Sequence, residues 1–313
     1  MYWDDKPYYS LSYKLKEKYG EKVFKIALDA GFTCPNRDGT IDSRGCIFCS
    51  AGGSGDFASS KQLSIHNQIE EGKLRLQKKF KGDQFIAYFQ AYTNTYGDLD
   101  YLRKVYFEAA NHPDIVAISI ATRPDCLSAE VCELLKELNQ IVDVWVELGL
   151  QTIHEESAVF MRRGYTLQVF NDAVSLLTSY NLDIIVHIIL GLPGESQSDM
   201  LTTVKYVSHL PIQGIKLQLL HVLKDTDLEK VYLDGDYQPL EREEYIDLVI
   251  DCIANIPSHI VIHRITGDAP WKLLVAPRWS TDKKNIFNQT LKRFKQRDSY
   301  QGKAFHATKS TCN

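Results

Sequence analysis

Nowhere in this chain of 313 residues do apolar side chains run unbroken for the roughly 18 positions that a membrane-crossing helix needs. The opening residues, MYWDDKPYYS, have neither the basic start nor the apolar stretch of a secretory signal. Both absences point to a cytoplasmic protein with no membrane partner. An excess of one charge is lacking too. The formal net charge of -4 exerts no overall pull on nucleic acid or anionic lipid, so only local charge is informative. Cysteine is scarce and odd in number, seven in all, which argues against a disulfide framework and for a reducing compartment in which thiols stay available as ligands. Internal repeats and low-complexity segments are missing as well. What is left, 44% hydrophobic and 24% charged residues, is the composition of an ordinary globular domain, and a chain of this length suits one main domain with extensions.

Three of the seven cysteines, Cys34, Cys46 and Cys49, fall in one glycine-rich stretch, GFTCPNRDGTIDSRGCIFCS, residues 31–50. Two residues between Cys46 and Cys49 let both sulfurs reach one metal or cluster, and Gly31, Gly39 and Gly45 permit the turns that fold Cys34 back toward them. A structural zinc site takes four protein ligands, so three thiolates point instead to a centre with one open position. His66 is the nearest histidine in sequence and is a candidate fourth ligand for zinc. Cluster, zinc site and unliganded loop all remain open on spacing alone. The other cysteines, Cys126, Cys132, Cys252 and Cys312, have no cluster spacing and read as free thiols.

From Val23 onward, apolar runs of strand length alternate with amphipathic stretches. The runs are 23–28, 85–90, 115–121, 142–148, 182–190 and 214–220, and the helical patterns between them are 63–80, 101–110, 128–138, 167–180 and 198–207. Near-continuous apolar strands joined by helices predict a parallel α/β sheet covered on both faces, either a barrel or an open doubly wound sheet. Either one puts chemistry at the carboxyl ends of the strands. The unusual polar residues fall there: Cys34, the segment Gln90–Tyr96 with Thr93 and Asn94, then Thr122-Arg123-Pro124-Asp125, Glu147 and Gln151, His187 with Gly191–Glu195, and finally Gln218 and His221. So regular a placement favours a ligand site.

The termini differ from this pattern. Residues 1–20 mix six aromatic residues with Lys6, Lys14, Lys16 and Lys18, a composition that either stacks on nucleic acid or packs its rings on the domain. Past the sixth run come a helical stretch over 240–254, an edge strand HIVIHRI, and a basic tail from Thr281. That tail carries Lys283, Lys284, Lys292, Arg293, Lys295, Arg297, Lys303 and Lys309, and reads as a basic helix that either binds phosphates or presents a solvated face.

Taken together, the three cysteines with Phe48 between the last two, Thr122-Arg123-Pro124-Asp125, Glu147-Leu-Gly-Leu-Gln151, Met161-Arg-Arg-Gly-Tyr165 and His187-Ile-Ile-Leu-Gly-Leu-Pro-Gly-Glu195 resemble the radical S-adenosylmethionine (SAM) superfamily. The likeness is greatest to its Elongator-catalytic-subunit-like branch, with features of the oxygen-independent coproporphyrinogen oxidases, and covers residues 26 to 225. The resemblance implies an incomplete (βα)6 TIM-like barrel over 23–232, with an N-terminal arm at 1–22 and a C-terminal extension at 233–313. It also implies a [4Fe-4S] cluster on Cys34, Cys46 and Cys49 with one iron open to S-adenosyl-L-methionine, whose reductive cleavage yields a 5'-deoxyadenosyl radical. Gln151, Arg163 and His187 match positions that contact this cofactor in relatives. Glu147 either binds cofactor or substrate or forms a buried pair with Arg123 or Arg163.

Three departures stand out. Eleven residues separate the first two cysteines, where three are common in the superfamily. Gln90 to Tyr96 replaces a glycine-rich stretch, so that the oxygens of Gln90, Thr93 and Asn94, with Thr122 beside them, are the candidate cofactor contacts on that side. Ala121 stands where an acidic residue is usual. The branch suggests tRNA, modified at the wobble uridine, as substrate and a flavodoxin or ferredoxin as electron donor. A small molecule or protein as substrate, and a zinc-stabilised nucleic-acid-binding protein without catalysis, are the alternatives. The acetyltransferase-like extension of the Elongator subunit is not present, so acyl transfer is not part of the expectation.

Overall fold

A computed structural model describes residues 2–77 and 82–305. Cys312, Lys309 and the end of the helical pattern at Phe80 lie outside the described residues. The arm forms helix α1 (Leu11–Tyr19), which starts where the Ser10 hydroxyl accepts a hydrogen bond from the Tyr13 amide and stops at Gly20 in a left-handed conformation. Its rings pack on protein: Trp3 stacks on Tyr9, and Tyr8, which is buried, meets Phe294.

The apolar runs then form β1 (Phe24–Leu28), β2 (Phe85–Phe89), β3 (Ile115–Thr122), β4 (Asp143–Gln151), β5 (Asp183–Leu190) and β6 (Gly214–Leu219). The amphipathic stretches form α2 (Ile65–Gln77), α3 (Leu99–Ala110), α4 (Ala129–Leu138), a short α5 (Glu155–Phe160), α6 (Leu167–Ser179) and α7 (Gln197–Ser208). Their starts are set by local chemistry: Asp98 caps α3, Ser128 caps α4, and Ser196 with Asp199 makes a capping box on α7. Beyond β6 lie β7 (Val222–Leu223), α8 (Asp227–Leu233), α9 (Arg242–Ala254), β8 (Val261–Arg264), β9 (Leu274–Ala276) and α10 (Lys283–Gln296).

Seven strands build one sheet in the order β1-β2-β3-β4-β5-β6-β8, every pair parallel, and the sheet curls into a half-barrel clad in helices. The edge strand expected within HIVIHRI is thus the seventh strand of the main sheet, and it is supplied by residues 233–313. β7 and β9 pair antiparallel as a separate ribbon. One face of the sheet packs on the helices through a single large core that includes Ile118, Val146, Phe170 and Ile184, all without exposed surface. The other face lines the hollow of the half-barrel.

The basic helix α10 docks on α9 rather than standing free. Ile286, Thr290 and Phe294 are buried, and Arg293 and Arg297, one turn apart, meet Glu243, Asp247 and Asp251, which repeat at the same spacing on α9. Lys283 meets Asp268 and Lys303 meets Asp298, so much of the tail's charge is answered within the fold. Phe294, 1% exposed, anchors this contact. Replacing it with Ala should cost about 3–5 kcal/mol of unfolding free energy in urea titration. A loss below about 1 kcal/mol, the level of an exposed substitution, would mean that α10 is not part of the cooperative core.

Candidate metal and cofactor site

The carboxyl ends of the strands open on a cavity of about 270 Å³ lined by Cys34, Cys46 and Cys49 together. The loop that carries them closes on itself and on the chain after α5. Gly45 donates its amide to the Asn36 carbonyl, Cys49 to the Cys46 carbonyl, and Ile47 to the Met161 carbonyl. The Asn36 side chain donates to the carbonyls of Arg162 and Arg163 and lies 3.6 Å from the Cys46 sulfur. Arg37 donates to the carbonyls of Cys49 and Ser50 at 2.8 and 2.6 Å. A Cβ on Gly45, whose φ is +78°, would sit 2.9 Å from that guanidinium, so the turn needs glycine on both counts. Asn36 and Arg37 escape sequence reasoning because their work is to hold main chain. The Asn and Arg between two cysteines of a loop were the available signal.

Burial, then Cys49, pushes the Cys46 thiol up to about 12, and burial pushes Cys49 up against the opposing Arg37. Thiols in such surroundings ionise when a cation binds them. His66 does not line the cavity: it lies exposed on the outer face of α2 beside His112 and Glu70. A zinc site completed by His66 is therefore not what this fold builds. Among the described residues neither a histidine with these thiols nor the three thiols themselves form a group with all ligand atoms within 4.8 Å of one another, and three sulfurs spread around one cavity fit a cluster with one position left for another molecule. Gln151 adds a second sign of a ligand. It ends β4 at a register shift, with φ of 71°, and its buried Oε1 has no partner among the described residues.

Of the other candidates, Gln90, Thr93, Thr122, Glu147, Arg163 and His187 also line the cavity. Asn94 does not. It is fully buried and its amide donates to the carbonyls of Phe89 and Ala121, tying β2 to β3. The Thr122 hydroxyl is 2.5 Å from that of Thr95. Arg163, 2% exposed, donates to the carbonyls of Tyr165, Leu150 and Thr152 and to Glu155. Its guanidinium holds the chain after β4 in place, which leaves little of it for a cofactor carboxylate. Arg163 and Arg123 flank the Tyr165 ring at 4.8 and 5.0 Å, and Arg123 also grips Asp125.

Glu147 pairs with neither arginine. Its carboxylate, 1% exposed, accepts from Lys25 at 3.0 Å, Ser119 at 2.5 Å, His187 at 2.8 Å and Lys216. Burial opposes its charge, but Lys216, then Lys25 and His187, hold its pKa well below the ordinary carboxylate value. Gln218 donates to Nδ1 of His187, so its Nε2–H faces Glu147 and both ring nitrogens are engaged within the protein. Lys25 and Lys216 escaped the sequence reading. Each is the one charged residue inside its strand, and that interruption was the signal.

Two family models match the chain: the Radical SAM superfamily over residues 42–207 and the Radical SAM C-terminal domain over residues 212–296. The chain belongs to the radical SAM superfamily. It is an enzyme of that class. The first match begins past Cys34, yet the fold sets Cys34 in one cavity with Cys46 and Cys49. This radical SAM enzyme is 44% identical to the uncharacterised protein YtqA of Bacillus subtilis over 96% of this chain and 94% of that one. It is 30% identical to a tRNA uridine(34) acetyltransferase of Methanocaldococcus jannaschii over 54% of this chain and 31% of that one. Among solved structures, Methanocaldococcus infernus Elp3 lacking residues 1–46 superposes with a TM-score of 0.67 and 19% identity, covering 89% of this chain and 64% of that one, a likeness of fold.

His187 and His221 are both held neutral. Burial, then Lys216, pulls His187 to about 4, and burial, then Lys283 and Arg264, pulls His221 to about 4, from 6.5. Between those values the unfolded chain binds protons that the folded chain refuses, so the two rings make stability rise with pH from about 4 to 6.5. Substituting His221→Gln should flatten that rise in urea unfolding measured across the window. An unchanged slope would mean that His221 protonates without penalty in the fold.

Proposed function

We propose that this enzyme reductively cleaves S-adenosyl-L-methionine at a [4Fe-4S] cluster held by Cys34, Cys46 and Cys49, and that it modifies the wobble uridine of tRNA. The observation that carries the first half is the convergence of three thiols on one cavity at the carboxyl ends of the strands, with an unpartnered Gln151 oxygen beside them. Such a cluster, when bound, would supply the electron for reductive cleavage of the cofactor's carbon–sulfur bond. The protein's part is to bind, orient and exclude water. Gln151 Oε1 would accept from a ribose hydroxyl, Gln90 and Thr93 would offer polar contacts on the β2 side, and Arg37 keeps the cysteine loop closed. His187, neutral and fixed between Glu147 and Gln218, orients that wall of the cavity. The electron comes from a partner such as a flavodoxin or ferredoxin.

The tRNA half draws support from the named activity of the M. jannaschii relative and from α10. Lys283 at the start of that helix pairs with Asp268, which lines the cavity, so the helix begins at the cavity rim. Lys284, Lys292 and Lys295 lie further along it, suited to phosphates.

Cys46→Ala and Cys49→Ala should each abolish reductive cleavage of S-adenosyl-L-methionine and lower bound iron and sulfide, with the circular-dichroism spectrum of the fold intact. Continued release of 5'-deoxyadenosine by either variant contradicts the assignment. The triple change of Lys284, Lys292 and Lys295 to Gln should reduce the salt slope of tRNA binding by about 3, one for each phosphate no longer neutralised, and leave cofactor cleavage alone. An unaltered slope removes α10 from tRNA binding. Mass spectrometry of tRNA nucleosides from cells lacking the protein tests the substrate itself: a missing modified uridine is expected, and an unchanged profile redirects the search to metabolites and peptides.

A further inference from the structure

The half-barrel has a second opening at the amino ends of its strands, a cavity of about 320 Å³ roofed by the N-terminal arm. The arm is fixed there: Ser10 bridges to Ile262 of β8, the Ile262 amide donates to the Tyr9 carbonyl at 2.8 Å, and Gln301 accepts from the Tyr9 amide at 2.7 Å. Five cationic residues line this cavity, Lys6, Lys22, Lys25, Lys216 and Arg264, and among the described residues no aspartate or glutamate does. The carboxylate that Lys25 and Lys216 share, Glu147, lines the opposite cavity, and so does Asp268 together with its partner Arg264, which borders both cavities. Lys6 donates to hydroxyls, those of Ser12 at 2.8 Å and Ser10 at 3.3 Å. His263, also in the wall, has a buried Nδ1 without a partner among the described residues.

We propose that this amino-end cavity is a binding site for a small phosphate-bearing anion, separate from the cluster and cofactor site. Lys216, which is buried, and Lys25, which is half-buried, share one carboxylate, so with both charged the hollow holds positive charge beyond what Glu147 answers, and such a charge is costly until an anion meets it. Burial disfavours the charged forms of Lys6 and Lys216, against Asp5 and Asp4 at Lys6 and Glu147 at Lys216, so a bound anion would restore the charge that burial opposes. The donors reach the hollow from the arm, β1, β6 and β8. Ammoniums and hydroxyls arranged in this way are point donors from several directions. They match the several acceptor oxygens of a tetrahedral phosphate better than one planar carboxylate, for which a guanidinium fork is the usual partner. The volume, at the small end of ligand pockets, suits a phosphate or diphosphate with at most a short organic group.

Calorimetric titration of the full-length, cluster-loaded protein with inorganic pyrophosphate at matched ionic strength tests this, with inorganic phosphate as the second probe. One saturable site per chain is expected, and Lys6→Gln should weaken it by about tenfold or more, the loss due to one charged hydrogen bond. Because Lys6 belongs to an arm that packs on the domain, the unmutated protein provides a second reading. Pyrophosphate should slow acetylation of Lys6 and Lys25 by an amine-reactive reagent, read by peptide mass spectrometry, while exposed Lys104 reacts unchanged. Pyrophosphate binding that outranks phosphate marks a diphosphate group as the ligand, and the reverse marks a monophosphate. Absence of saturable binding, or binding that neither protects Lys6 nor weakens in Lys6→Gln, overturns the proposal. So does protection spread evenly over exposed lysines, which signals charge attraction alone.

Discussion

One buried carboxylate ties this molecule together across its hollow. Glu147 on β4 takes donors from Lys25 on β1, Ser119 on β3, His187 on β5 and Lys216 on β6, so five of the seven strands of the sheet meet at two oxygen atoms. A carboxylate almost without exposed surface does not stay charged unless several donors replace the water it has lost. Ser119 and His187 come from the two strands beside β4, whereas Lys25 on β1 and Lys216 on β6 lie three and two places away in the sheet order and reach it because the sheet is curved. Curvature and charge thus support each other: flattening the sheet would strand Glu147, and neutralising Glu147 would leave two lysines facing an apolar interior.

That knot also divides the hollow. On its carboxyl side lie the three thiols, Gln151 and the residues that offer themselves to a cofactor; on its amino side lies a wall rich in lysine. The division explains why His187, which lies at the expected height on β5, is engaged with Glu147 and Gln218. It works as a fixed neutral wall more than as a free donor. Asn94, just past β2, and Arg163, just past α5, follow the same logic, for each holds main-chain carbonyls. At the ends of parallel strands the unpaired backbone groups compete with ligands for polar side chains, and buried backbone usually has to be answered.

Much of the architecture was legible because apolar periodicity and the punctuation of caps and glycines are local properties. The six expected strands occur where the apolar runs are, and the helices begin at Asp98, Ser128 and Ser196, residues whose side chains cap by short-range geometry. β8 was harder to read, since a four-residue strand that joins the sheet edge looks like any short apolar run until its partner β6 is known. The tail was legible as a helix but not as a docked one: Arg293 and Arg297 find their acids on α9, some 46 to 50 residues away. Lys25 and Lys216 were the largest omission, because a lysine within a strand has no meaning until one knows which carboxylate faces it across the hollow.

By itself the sequence determined the alternation of strands and helices, the cysteine loop, and the family to which these motifs belong, all of them matters of spacing along the chain. Only the tertiary structure decided which polar residues are free to meet a ligand. It brought Cys34 beside Cys46 and Cys49 across an eleven-residue gap, put His66 outside, engaged Arg163 and His187, and set Glu147 among lysines from other strands. The physical reason is that the availability of a polar group depends on every donor and acceptor within about 3 Å of it, and those neighbours are chosen by the curl of the sheet and not by distance along the chain.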